Sequence, residues 1–214
     1  MLRNTQPTTS TRAQEPPTLS ALSSALFAIR FPLMLALLPF LLFLPLTLVR
    51  ETFYIHDVQY YFYPYHTISA NILRAGELPL WNPYAFSGIP LIGDGQTAIF
   101  YPPNWFFFIL PGAAALNYAI LLQFSIAGVG MYLCARGFGL RRVPASVAAL
   151  AFMFGGLMTA RVVHLSIMSG VALVPLLLLC VDRAISRQPA LSPQPSALSP
   201  QPSALSPQPS ALSP

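Results

Sequence analysis

The residues best suited to chemistry lie in one stretch of the chain. Four of the six acidic side chains, Glu51, Asp57, Glu77 and Asp94, fall between residues 51 and 94. His56 precedes Asp57, Trp81-Asn82 sits between two prolines, and Gly93-Asp94-Gly95-Gln96 leads to Tyr101-Pro102-Pro103. A carboxylate can take a proton from an attacking hydroxyl. Aromatic faces suit a membrane–water interface, and stacking on sugars is the sharper alternative. Arg161 and His164, beyond this stretch, form a brief polar break; Arg161 either snorkels to an interface or meets a phosphate there. Each candidate also has a plainer role: Asp57 as a helix cap, Asp94 as a turn residue, His56 as a structural histidine. No Gly-rich nucleotide cradle, zinc-ligand spacing or nucleophile elbow occurs.

These residues must be held by apolar elements. The chain of 214 residues is 55% hydrophobic and only 8% charged, against roughly a quarter charged in soluble domains. So few charges cannot keep a water-facing surface soluble, so the sequence reads as an all-α integral membrane protein of about four transmembrane helices. Expected spans cover residues 31–49, 116–135, 143–161 and 166–181. Pro32, Pro39 and Pro45 interrupt the first, and Leu48-Val49-Arg50-Glu51 offers no small-residue cleavage signal, so that span reads as uncleaved. The third is rich in Gly and Ala, as helix contacts in lipid favour. Cys134 and Cys180 fall in apolar runs and read as free packing thiols.

Arginine placement sets the orientation. All 11 basic residues are arginine. With the N-terminus inside, Arg3, Arg12, Arg30, Arg136, Arg141, Arg142, Arg183 and Arg187 lie inside, and Arg50, Arg74 and Arg161 outside. This positive-inside bias predicts a multi-pass cell-membrane protein with both termini cytoplasmic and the 50–115 loop outside. In that setting the net charge of +5 reports topology and argues against a nucleic-acid partner. Residues 1–24 read as a disordered polar tail. Residues 188–214 read as a disordered tail in which Ala-Leu-Ser-Pro-Gln-Pro-Ser recurs with two prolines per repeat. A unit repeated so faithfully resembles translated tandem DNA, and the expectation is that the frame has run into a repeat and lost the rest of a longer membrane protein.

Within the loop, Val58 to Ala75 is predicted helical, with Asp57 capping its start, Gly76 ending it and Pro64 kinking or delaying it. Tyr60, Tyr61, Phe62, Tyr63 and Tyr65 suit an interfacial aromatic belt. Leu78 to Pro83 is expected to be irregular, since its prolines break helix and sheet ladders alike. Phe106 to Leu110 reads as a short interfacial return to the membrane.

The ordered set Asp57, Gln59, Tyr63-Pro64, Gly76-Glu77-Leu78-Pro79-Leu80-Trp81-Asn82-Pro83, Phe86-Ser87-Gly88, Gly93-Asp94-Gly95-Gln96 and Phe100-Tyr101-Pro102-Pro103 resembles the YfhO-type family of bacterial membrane proteins, which look like members of the GT-C glycosyltransferase class. The likeness covers roughly residues 30–187. It implies a GT-C-like amino-terminal portion with a structured first outer loop. It also implies transfer of a sugar from a polyprenyl-phosphate carrier in the membrane lipid to a cell-envelope acceptor. Asp57 matches the catalytic acidic residue of that loop. His56, Trp81, Asn82, Asp94, Gln96, Tyr101 and Arg161 become the expected substrate contacts. The cofactor stays open, with a divalent metal on Asp94 as one option. The chain departs from the family in having four spans where relatives carry around a dozen or more. The alternative reading is a non-enzymatic multi-span protein, or a transporter fragment, with a ligand-binding outer loop. The nearly charge-free spans weigh against transport.

Overall fold

A computed structural model describes residues 19–45, 52–53 and 56–186. The described residues form seven α-helices, one π-helical turn, one 3-10 turn and a two-stranded ribbon. In order these are α1 (Leu19–Leu42), the π segment Val58–Phe62, α2 (Tyr63–Arg74), β1 (Trp81–Asn82), β2 (Ile89–Pro90), the 3-10 turn Pro102–Trp105, α3 (Phe106–Ile109), α4 (Gly112–Gly137), α5 (Arg142–Met153), α6 (Gly156–Ala160) and α7 (Leu165–Ser186). The chain divides into two units, Met1–Leu179 and Cys180–Pro214. Of the second, only the last turns of α7 are described.

Three segments are long and apolar enough to cross a membrane: Gly112–Gly137, Arg142–Ala160 and Leu165–Ser186. The apolar helix Ala28–Leu42 is shorter. The span in α4 is 67% buried, against 22% and 28% for the other two, so α4 is the central post and the others show apolar faces outward. Such faces are stable only against lipid or further protein. Small residues let neighbours approach α4: a methyl group on Gly128 would meet Met153 of α5, and one on Gly130 would meet Leu176 of α7.

Several boundaries differ from expectation. Residues 19–24, expected in the disordered tail, begin α1, because Leu19-Ser20-Ala21-Leu22 continues its helical pattern upstream. Helix α1 ends at Leu42, short of the expected residue 49; residues 46–51 lie outside the described part. The third span is broken at Phe154-Gly155, where a β carbon on Gly155 would press against the Ala151 carbonyl. The fourth runs on through Asp182 and Arg183 to Ser186, since a helix end near an interface tolerates charges. The tails 1–18 and 187–214 lie outside the described residues. Neither cysteine is in a disulfide; Cys134 is buried and Cys180 exposed.

Leu78–Pro83 is not wholly irregular. Trp81 pairs with Pro90 and Asn82 with Ile89, antiparallel. The Leu91 amide donates to the Leu80 carbonyl at 2.9 Å. That bond makes Leu80–Leu91 a bonded rung and Trp81–Pro90 a non-bonded one, where the missing proline N–H costs nothing.

Buried polar side chains of α4 pin the loop to the post. Asn117 Oδ1 accepts from the Thr52 hydroxyl at 2.9 Å and from the Phe53 amide at 3.4 Å. Gln123 Oε1 accepts from the Tyr101 hydroxyl at 2.9 Å. The Ser125 hydroxyl donates to the Ala36 carbonyl at 2.6 Å, tying α1 to α4.

Candidate functional site

The helical run from Asp57 to Arg74 positions most of the candidate residues. It opens under strain: His56 has φ 49°, a left-handed conformation uncommon for histidine. The Gln59 and Tyr60 amides donate to the His56 carbonyl, and the chain enters the π segment. The Tyr63 amide reaches back five residues to Val58. Pro64, with no N–H, sits at the start of α2, where the wider turn gives way to regular helix. Val58 and Phe62 are buried anchors. The far end closes with Gly76 at φ 83°, its amide bonded to the Leu73 carbonyl and the Glu77 amide to that of Ile72. This Schellman geometry needs the left-handed backbone that glycine supplies, as expected for Gly76.

Asp57 does not cap the helix with its side chain. Its backbone is already helical (φ −60°, ψ −24°) and its carboxylate makes no capping bond. Instead Asp57 Oδ2 lies 2.9 Å from Nδ1 of His164. An opposite or hydrogen-donating partner outweighs a cap at an exposed helix start. His164 is held in turn: its amide donates to the Arg161 carbonyl at 2.9 Å, and its carbonyl accepts from the Met168 amide in the first turn of α7. In the sequence His164 stands out only as part of a polar break, Arg161-Val162-Val163-His164 between two apolar runs, and is not among the expected substrate contacts.

The pair stands beside an apolar cleft of about 290 Å³. Val58, next to Asp57, and Val162 and Val163, next to His164, line it with Phe43, Phe53 and Phe124. The rings of Phe43 and Phe124 are stacked at 6.2 Å. The side chains of Asp57 and His164 are 54% and 36% exposed, so the polar pair is reachable from water, while the cleft beside it is lined almost wholly by apolar side chains. The Arg161 side chain is exposed and makes no hydrogen bond or ion pair among the described residues. The arrangement sets an apolar surface, an exposed cation and an acid–imidazole pair able to accept a proton side by side.

The other expected residues gather elsewhere. Trp81 lines an open cavity of about 530 Å³ with Ile68, Asn71, Glu77 and Tyr84. It shares no lining residue with the cleft. At 1.5 Å per residue, Ile72 lies roughly 20 Å along the helix from Asp57. Gly88, at φ 113°, lets the loop pass against the Trp81 ring; a β carbon there would sit 2.5 Å from it. Asn82 is buried, its Oδ1 accepting from the Tyr84 amide at 3.0 Å and its Nδ2 unpartnered. Asp94 accepts from the Tyr61 hydroxyl and, through Oδ1, from the Gln96 amide at 3.1 Å, so it braces its own turn and ties that turn to the π segment. Gln96 and His56 are exposed. Tyr101 joins the loop to α4 through Gln123. The tyrosine cluster is only partly a belt: Tyr60 is exposed, whereas Tyr65 is buried and stacked on Tyr61 at 4.3 Å.

Electrostatics follow burial. The Tyr61 hydroxyl is held protonated well beyond its usual range, first by burial and then by its bond to Asp94 and that carboxylate's charge. Burial also raises Tyr101, partly opposed by its bonds to Gln123 and Ser169. His66 is buried between Phe62 and Phe107, with Nε2 unpartnered, and burial lowers it to about 4. Arg74 donates to the carbonyls of Phe107 (2.6 Å), Phe108 (3.1 Å) and Leu110 (3.2 Å), closing the C-terminus of α3. Among the described residues no three His, Cys, Asp or Glu side chains converge as metal ligands. No family model, curated protein or solved structure matches the chain.

Proposed function

We propose that this chain is the amino-terminal part of a membrane sugar transferase that uses a polyprenyl-phosphate donor. On this reading the protein is multi-pass, both termini are cytoplasmic, and the 50–115 loop faces the outside. The donor's hydrocarbon enters the cleft beside Phe43, Phe53 and Phe124, Arg161 neutralises its phosphate, and the sugar lies over Asp57 and His164. The leaving phosphate carries its own charge, so one proton acceptor for the incoming hydroxyl is sufficient. The observation that carries the reading is the Asp57–His164 pair at 2.9 Å beside an apolar cleft, with Arg161, whose side chain has no partner among the described residues, in the same turn as His164.

Photocrosslinking tests it. Membranes holding the chain are irradiated with a polyprenyl phosphate bearing a photoreactive tail. Adducts on the segments around Phe53, Phe124 and Val162 are the expected result. Labelling spread over the outward faces of α5 and α7 sinks the proposal.

The cavity at Trp81 favours a second reading, in which the loop binds a ligand without transforming it. Glu77 and Asn71 border an exposed indole there, a polar edge beside an aromatic face. Saturable binding at that cavity, with no transfer in the presence of donor, selects this reading.

A further inference from the structure

We infer that the atom accepting the proton is Nε2 of His164, and that Asp57 is a positioning residue acting through it. This rests on the sugar-transfer reading above and assigns the labour within its site. An ionised carboxylate has no hydrogen to give, so the 2.9 Å contact requires Nδ1 of His164 to carry the hydrogen. In the neutral ring the free lone pair is then on Nε2. The backbone bonds of His164 hold its Cα in the turn before α7, and the contact to Asp57 selects the tautomer.

The two possible proton acceptors differ in what the transfer does to their shared bond. A proton arriving on Nε2 makes the ring cationic and turns the contact into an imidazolium–carboxylate bond. A proton arriving on Asp57 removes the carboxylate charge and leaves a bond between neutral partners. Charge-assisted bonds are roughly twice as strong as neutral ones. The geometry therefore rewards the first route and penalises the second. In the step itself, the acceptor hydroxyl oxygen forms a bond to the anomeric carbon and its proton passes to Nε2. The bond from that carbon to the phosphate oxygen breaks, and its electron pair leaves on the phosphate facing Arg161. The same division of roles, acid holding imidazole and imidazole taking the proton, recurs on unrelated folds.

The test is a transfer assay on membranes containing the full chain and a radiolabelled polyprenyl-phosphate sugar. His164→Ala is expected to lose ~10²–10⁴ of kcat with KM for the donor unchanged, and added imidazole to restore a measurable part. Asp57→Asn is expected to fall as well, without rescue by imidazole. His164→Gln keeps a side-chain amide to face Asp57 but has no basic nitrogen. It serves where the alanine variant fails to accumulate, and it should be equally inactive. Activity in His164→Gln or His164→Ala above roughly a tenth of wild type, with Asp57→Asn inactive, makes Asp57 the base and overturns the inference while leaving the transferase reading intact. Donor crosslinking in the cleft without transfer by the wild-type chain overturns the inference alone; a wild-type chain that neither crosslinks the donor there nor transfers sugar overturns both.

Discussion

The two ends of the helical run from Asp57 to Arg74 are unlike. At the start, the backbone is left-handed at His56, widened through the π segment, and a carboxylate is paired with a histidine from a distant turn beside an apolar cleft. At the finish, Gly76 closes the helix in a regular motif, Arg74 caps α3, and an indole held against Gly88 borders an open, polar-edged cavity. The first end brings together groups that can move a proton. The second spends its polar groups on locking a loop. Left-handed backbone occurs at both, at His56 beside the first and at Phe86 and Ser87 in the hairpin of the second, so what separates the two is the acid–imidazole pair at one and the indole-bordered cavity at the other.

The sharpest break in this comparison comes from Asp57→Ala. Under the proposed reading, transfer falls by ~10²–10⁴, while the Trp81 end keeps its fluorescence. A matched loss of folding at both ends would show that Asp57 serves stability alone.

His66 lies between the ends and gives a pH test. Its value in the folded chain, about 4, is below the unfolded 6.5. The unfolded chain therefore binds the proton first as pH falls, and the folded state loses stability from about pH 6.5 down to about pH 4. The total is on the order of 3 kcal/mol, from 1.36 kcal/mol per unit. Thermal unfolding in detergent at several pH values measures it, and His66→Phe should flatten the slope. An unchanged slope in that variant removes His66 as the cause.

A smaller effect is expected where the loop enters the site. Asn117→Ala leaves the Thr52 hydroxyl and Phe53 amide without their acceptor, at a cost of about 1–3 kcal/mol. Amide exchange should quicken at Phe53 and around Asp57, and not around Trp81. Tyr61→Phe should cost the least, about 1 kcal/mol for its bond to Asp94. It should loosen the Gly93–Thr97 turn without altering donor crosslinking in the cleft. Reduced crosslinking would mean that the two ends are coupled.

Local features were legible where local physics decides them. The apolar runs, the stop at Gly76 and the turn at Asp94 follow from neighbours in sequence. The expected irregularity of Leu78–Pro83 did not, because whether a proline breaks a ribbon depends on which rung it occupies, and that needs the partner strand. The capping role expected for Asp57 likewise looked only at residues nearby, whereas its true partner lies 107 positions later. The polar side chains of α4 were a missed signal: Asn117, Gln123 and Ser125 within an apolar span announce contacts that something else must supply.

By itself the amino-acid order determined a helical, lipid-seeking chain with one polar loop, because hydropathy and proline placement act over a few residues. Only the tertiary structure decided that Asp57 meets His164 beside a cleft and that Trp81 belongs to another cavity. Those outcomes depend on how α4 packs against its neighbours and on where the broken third span turns, and such long-range geometry leaves no local trace in the order of residues.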